Sequence, residues 1–267
     1  MKNNLIINKG TLDDIEIPDI VYKYRDWEYK HHDRFIKNRE IFLASPNSFE
    51  DEKDCKIPIR YDLLDKKQSL EFAIHLSKIA KPQFTRQQHR EDCRKWVKKG
   101  LLKNKQFYEN FLKKYFEQNN LRRGVLSLTA EPCLEEMWKK YANNSQGFCI
   151  GYNSKIMFES LGGGGKVEYY DELPLIFPEP IMNHFEKTSL LIFSKERKWE
   201  FEKEYRTHKF WENPASIKDR QIQLPKEAFN SIILGRNITD KVKNEIIYYV
   251  KENIGDIPIL EQTNFCS

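Results

Sequence analysis

The order of patterned segments predicts an α+β fold with a mixed or antiparallel sheet core. Two short alternating, strand-like segments come first, a long stretch of helical periodicity follows, and short strands then return in the second half. That grouping differs from the regular strand and helix alternation of a doubly wound sheet. With 267 residues, 39% of them hydrophobic and 13% aromatic, the chain has enough apolar side chain for one elaborated domain spanning 1–267.

The first strand is read at Asp19–Arg25, where aromatic and β-branched residues alternate with charge, and a polar helix follows over Tyr29–Lys37. A second strand, Glu40–Ala44, runs into the turn Ser45-Pro46-Asn47-Ser48. From Leu63 to about Asn119 apolar residues recur at intervals of three and four, so residues 63–123 form a helical insertion. Between Arg86 and Arg123 twelve Lys or Arg face four Asp or Glu, an excess of eight, while the whole chain carries only +5. Basic charge is therefore concentrated in one arm, and Arg94, Lys95, Lys98 and Lys99 are its candidate contacts with nucleic acid.

Short strands are expected at Gly124–Thr129 and Gly147–Tyr152, with a helix over Glu135–Ala142 stopped by Asn143 and Asn144. The glycine run before Lys166 fails the phosphate-loop pattern and reads as a flexible hairpin or flap. Strand pattern resumes at Val167–Tyr170, a helix is expected over Pro180–Lys195, and a long alternating strand runs through Trp199 to Phe210. Further strands at Gln221–Leu224, Ser231–Leu234 and Pro258–Leu260 flank a helix over Thr239–Lys251. Five scattered cysteines without a CxxC pair read as reduced, buried thiols, and the histidines lack metal-ligand spacing, so no metal is expected. The only apolar run near the start is Leu5–Ile7, without a cleavage site, and no stretch is long enough to cross a membrane; the expectation is a cytoplasmic protein.

In Trp199–Arg206 a period of two places Trp199, Phe201 and Tyr205 on a core side, and Glu200, Glu202, Glu204 and Arg206 on a polar side. Such a cluster of carboxylates needs a cation or ligand to compensate it, or else it is a solvated sheet face. His208 continues the face of Arg206. Lys23 and Arg25 share one side of the first strand, Tyr22 and Tyr24 the other, and Ser127 and Thr129 project together from theirs.

Taken in order, YKYR at Tyr22–Arg25, FLASPNSFEDEKDC ending at Cys55, LSLT at Leu126–Thr129, EEMWKKYANNSQGFCIGY at Glu135–Tyr152, K-x-x-x-W-x-x-E-x-E-Y-R at Lys195–Arg206 and IILG at Ile232–Gly235 resemble domain-of-unknown-function family 2971. The resemblance implies a bacterial, cytoplasmic protein, often encountered near phage-defence genes, with a defence-system protein as a partner. The segment Phe49–Asp54 lacks the proline of that family's usual turn, and the basic helical arm reads as an elaboration.

The order of the basic, Ser-x-Thr and Glu-x-Glu strands is also similar to ADP-ribosyltransferases. That similarity implies NAD as the substrate, Glu204 as the carboxylate facing the ribose, Glu202 positioning the acceptor, Arg25 holding a phosphate or ribose oxygen, and Ser127 and Thr129 in support. Tyr22, Lys23, Tyr24, Trp138, Tyr141, Lys195, Trp199 and Arg206 complete the implied binding set, with a nucleic acid or protein acceptor on the basic arm. Two other readings stand beside it: a magnesium nuclease built on Glu200, Glu202, Glu204 and Lys195, and a non-catalytic module that binds a ligand or nucleic acid.

Overall fold

Strand β1 (Ile20–Arg25) forms where the sequence alternation predicts it, and the computed structural model describes residues 16–266, so the apolar run Leu5–Ile7 lies outside the described residues. The polar segment after β1 is mostly turns, and only α1 (Arg34–Lys37) is helical, because Phe35 and Ile36 are its only buried side chains. After β2 (Glu40–Phe42), the turn at Ser45–Ser48 is a short 3-10 helix with the Ser45 hydroxyl accepting from the Asn47 amide. The insertion then supplies α2 (Lys66–Ala80), α3 (Arg86–Lys98) and α4 (Lys105–Leu121). Asp65 with Gln68, and Thr85 with Gln88, close capping boxes at the first two, satisfying amides that the helix itself leaves open.

Strand β3 (Arg123–Thr129), α5 (Glu135–Tyr141) and β4 (Phe148–Asn153) follow as expected. Asn143, Asn144 and Ser145 all take left-handed backbone, which stops α5 and turns the chain into β4. Helix α6 (Ser154–Leu161) was not expected, since its apolar face is only two turns long. The glycine run is no free flap: Gly162 caps α6 in a left-handed conformation, and Gly165 and Lys166 form the edge strand β5 (Gly165–Lys166). Strand β6 (Glu168–Tyr170) leads to α7 (His184–Phe193), which ends sooner than expected because Ser194 and Lys195 belong to β7 (Ser194–Glu196), parallel to β6.

The largest correction falls on the expected strand from Trp199. Arg197–Glu202 is a 3-10 helix, Lys203 is left-handed with φ 42°, and β8 (Glu204–Phe210) begins only at Glu204. The expected amphipathy is inverted too, with Phe201 exposed and Glu202, Glu204 and Arg206 buried. The chain closes with α8 (Ile217–Arg220), β9 (Gln221–Gln223), β10 (Phe229–Leu234), α9 (Asp240–Asn253), β11 (Ile259–Glu261) and α10 (Gln262–Phe265).

Among the described residues the main sheet has seven strands in the order β11-β10-β4-β1-β3-β8-β5, antiparallel except between β10 and β11. The α+β expectation and its antiparallel core are therefore met. On one face Phe148, Ile150 and Ile232 pack with α6, α9 and Phe35, while on the other Tyr22, Tyr24 and Cys149 pack against Trp138 of α5. Helices α2, α4 and α7 build a separate cluster around Tyr61, Phe72 and Leu190. No helix among the described residues is long and apolar enough to cross a membrane. Cys133 and Cys266 form a disulfide, which corrects the expectation of five reduced thiols, whereas Cys55, Cys93 and Cys149 are free and buried. A separation of 133 residues leaves no local spacing by which sequence reading could pair them.

Candidate functional site

Strands β1 and β3 are paired at Tyr22 and Thr129 alone, while β1 stays paired with β4 along its whole length. Beyond that point the sheet splits, and a cleft of about 400 Å³ opens in the gap. Its size lies in the range of small-molecule sites. Register decides what faces it: Thr129 pairs with Glu204 and Ser127 with Arg206, so these four side chains project from the same face of adjacent strands.

Of the residues expected to act, Arg25, Ser127, Thr129, Glu202 and Glu204 all line this one cleft, and so do Tyr22, Lys23, Tyr24, Tyr141, Lys195 and Trp199. Glu202 reaches it from the 3-10 helix, not from a strand. Thr129 is buried, and its hydroxyl accepts the Glu131 amide at 3.1 Å, which makes it a support for the loop into α5. Trp138, expected in the binding set, does not line the cleft. It is fully buried, packs edge-on against Tyr24 with ring centroids 5.1 Å apart, and donates its indole N–H to the Pro132 carbonyl. Trp199 does face the cleft, with Lys140 and Lys195 over its ring at 4.9 and 5.2 Å.

Arg206 corrects its assignment as a ligand contact, being 0% exposed beneath the carboxylates. Its guanidinium donates to both oxygens of Glu204 at 2.6 and 2.8 Å, to both of Asp54 at 2.8 and 2.7 Å, and to the Ile192 carbonyl at 2.7 Å. The Lys195 ammonium bridges Glu202 and Glu204, and lies 3.8 Å from Asp54. Tyr141 donates its hydroxyl to Glu202 at 3.2 Å, and the Glu204 amide donates to the Tyr169 hydroxyl at 2.9 Å. Three carboxylates are thus buried together only because two cations are threaded through them. Burial alone would raise the Glu204 carboxyl, but Arg206 and Lys195, helped by Ser127, outweigh it and hold it down to about 2. It is a fixed anion at neutral pH.

The opposite wall carries the basic residues Lys23 and Arg25. Lys23 donates to the Ser127 carbonyl, and Arg25 donates to the Tyr24 carbonyl at 3.1 Å and lies 4.6 Å over the Phe35 ring. Among the described residues neither makes an ion pair, and the Arg25 Nε is buried without a hydrogen-bond partner. Desolvation lowers Lys23 well below its ordinary value and takes Arg25 down to about 10. Gly147 fixes the end of this wall, since a Cβ there would sit 2.1 Å from the Arg25 carbonyl oxygen.

Several lining residues escaped the sequence reading: Asp54, Tyr29, His32, Glu50 and Lys140. Asp54 lies in an acidic run, Glu50–Asp54, in which nothing local marks it apart from its neighbours. Glu50 and Lys140 pair at 2.9 Å across the rim. Glu200, required by the nuclease reading, does not line the cleft and pairs instead with Arg197 at 3.1 Å. His208 stays outside it as well, half-buried against the Phe193 ring. Arg94, Lys95 and Lys98 on α3, and Lys99 at its C-cap, are exposed and take no part in the cleft. No protein-family model, curated protein or solved structure matches this chain.

Proposed function

We propose that this chain binds NAD in the split between β1 and β3 and cleaves the bond between nicotinamide and ribose, as an ADP-ribosyltransferase-like or NAD-hydrolysing protein. The observation that carries this reading is the meeting of Arg25, Ser127, Glu202 and Glu204 from separate segments in one cleft. Its charge layout supports the same ligand. On one wall Arg25, whose Nε has no hydrogen-bond partner among the described residues, offers donors to a pyrophosphate. Glu202 and Glu204 face it from the other wall, where positive charge develops on a ribose losing its base.

The state of Glu204 narrows its role. A carboxylate held down to about 2 is a poor proton acceptor at neutral pH, so it acts by charge. Arg206, Lys195 and Asp54 are positioning residues that keep it ionised and fixed in direction. Trp199 and Tyr141 supply aromatic surface against which a base can lie. The exposed basic face of α3 is the surface we assign to a nucleic acid or protein acceptor. The nuclease alternative is weakened by Glu200 pointing away and by Lys195 and Arg206 occupying the carboxylate oxygens that a metal would need.

The test is binding by isothermal titration calorimetry, with ADP-ribose as the probe. Wild-type protein is expected to bind, and Arg25→Ala to bind at least about tenfold more weakly. Equal affinity in the two proteins would remove Arg25 from the site.

A further inference from the structure

We propose that Lys23 is the general base of the cleft, taking the proton from the hydroxyl that attacks the ribose. Transfer to water or another hydroxyl needs a base, and the two glutamates that face the ribose are not suited to be one. Both oxygens of Glu204 are bonded to Arg206, and Lys195 adds a further bond to Oε2. Glu202 is bonded through one oxygen to Tyr141 and through the other to Lys195.

Lys23 lies on the same cleft and makes no ion pair among the described residues. Among the described residues its amine makes one side-chain hydrogen bond, to the Ser127 carbonyl, which spends a single N–H and fixes the amine at the split between β1 and β3. The groups that act on it come from every side: Arg25 on its own strand, Glu204 on β8, Glu202 on the 3-10 helix, Lys195 on β7, Cys149 on β4 and His32 beyond β1. Desolvation is the largest influence and Arg25 the next, and both favour the neutral amine over the attraction of the two glutamates.

In the step itself Lys23 Nζ takes the hydroxyl proton as the acceptor oxygen bonds to the anomeric carbon. The bond from that carbon to the nicotinamide nitrogen breaks with its electron pair going to nitrogen, and Lys23 later gives its proton to water.

The last step rests on the NAD reading, so the experiment has two arms. Competitive acetylation with acetic anhydride across pH, read by peptide mass spectrometry, is expected to give Lys23 a midpoint well below the ordinary lysine value. In nicotinamide release, Lys23→Arg, which puts a permanent cation that cannot take a proton in its place, is expected to lose about 10²-fold in kcat with KM little changed. A midpoint at the ordinary lysine value, or a Lys23→Arg variant with wild-type kcat, overturns the proposal. A low midpoint in a wild type that releases no nicotinamide overturns the reaction while leaving the neutral amine established.

Discussion

At the scale of single residues the cleft is organised around Arg206, which has no exposed surface and yet decides the charge of what is exposed. Two carboxylates share its guanidinium, and removing it would leave Asp54 and Glu204 buried against each other without that cation. The arrangement has a pH signature. Glu204 titrates near 4.5 when unfolded and is held to about 2 when folded, so the unfolded chain binds its proton first as pH falls. The stability it contributes, about 3 kcal/mol, is present above pH 4.5 and lost between there and pH 2. His32, lowered to about 3 chiefly by burial and then by Arg25, has the same sign and begins to act below its ordinary value of 6.5. Urea denaturation followed against pH is therefore expected to lose stability progressively below about pH 6.5, and Glu204→Gln to flatten the portion between 4.5 and 2. A midpoint that stays constant down to pH 3 would contradict this account of the buried charges.

At the scale of elements, what was legible in the sequence depended on whether a segment's partner was local. β1, β3, α5, β4 and α9 follow from their own periodicity and stops, and they carry Arg25, Ser127 and Tyr141 to the cleft. The segment from Trp199 misled because alternating aromatic and acidic residues fit a strand, while the deciding interactions lie with other segments: Lys195 draws Glu202 and Glu204 inward, Asp54 holds Arg206, and Lys203 turns the chain before β8. Asp54 lies 152 residues from Arg206, and Cys133 lies 133 from Cys266, so neither pair leaves a spacing to read. Gly147 shows the reverse, a local residue with a site consequence. Its Cα approaches the end of β1 so closely that Gly147→Ala must push the Arg25 carbonyl away. The variant is expected to lose on the order of 2 kcal/mol of stability and to weaken ADP-ribose binding, measured by thermal denaturation and calorimetry. Wild-type values for both would show that β1 need not be held there.

At the scale of the whole molecule, a seven-stranded sheet split at β1 and β3 presents a two-signed cleft, and a basic helical arm stands apart from it. Separation of the two surfaces makes them independently testable. Charge reversal at Arg94, Lys95, Lys98 and Lys99 is expected to abolish salt-dependent RNA binding in a filter assay and to leave ADP-ribose affinity unchanged. Loss of both together would mean that the arm and the cleft are one site. The reaction itself is read by nicotinamide release from NAD, compared between wild-type protein and Glu204→Gln with folding checked by circular dichroism. Steady release by the wild type and a loss of about 10²-fold in the folded variant are the expected result, whereas equal release by the two proteins, or none from the wild type, would contradict it.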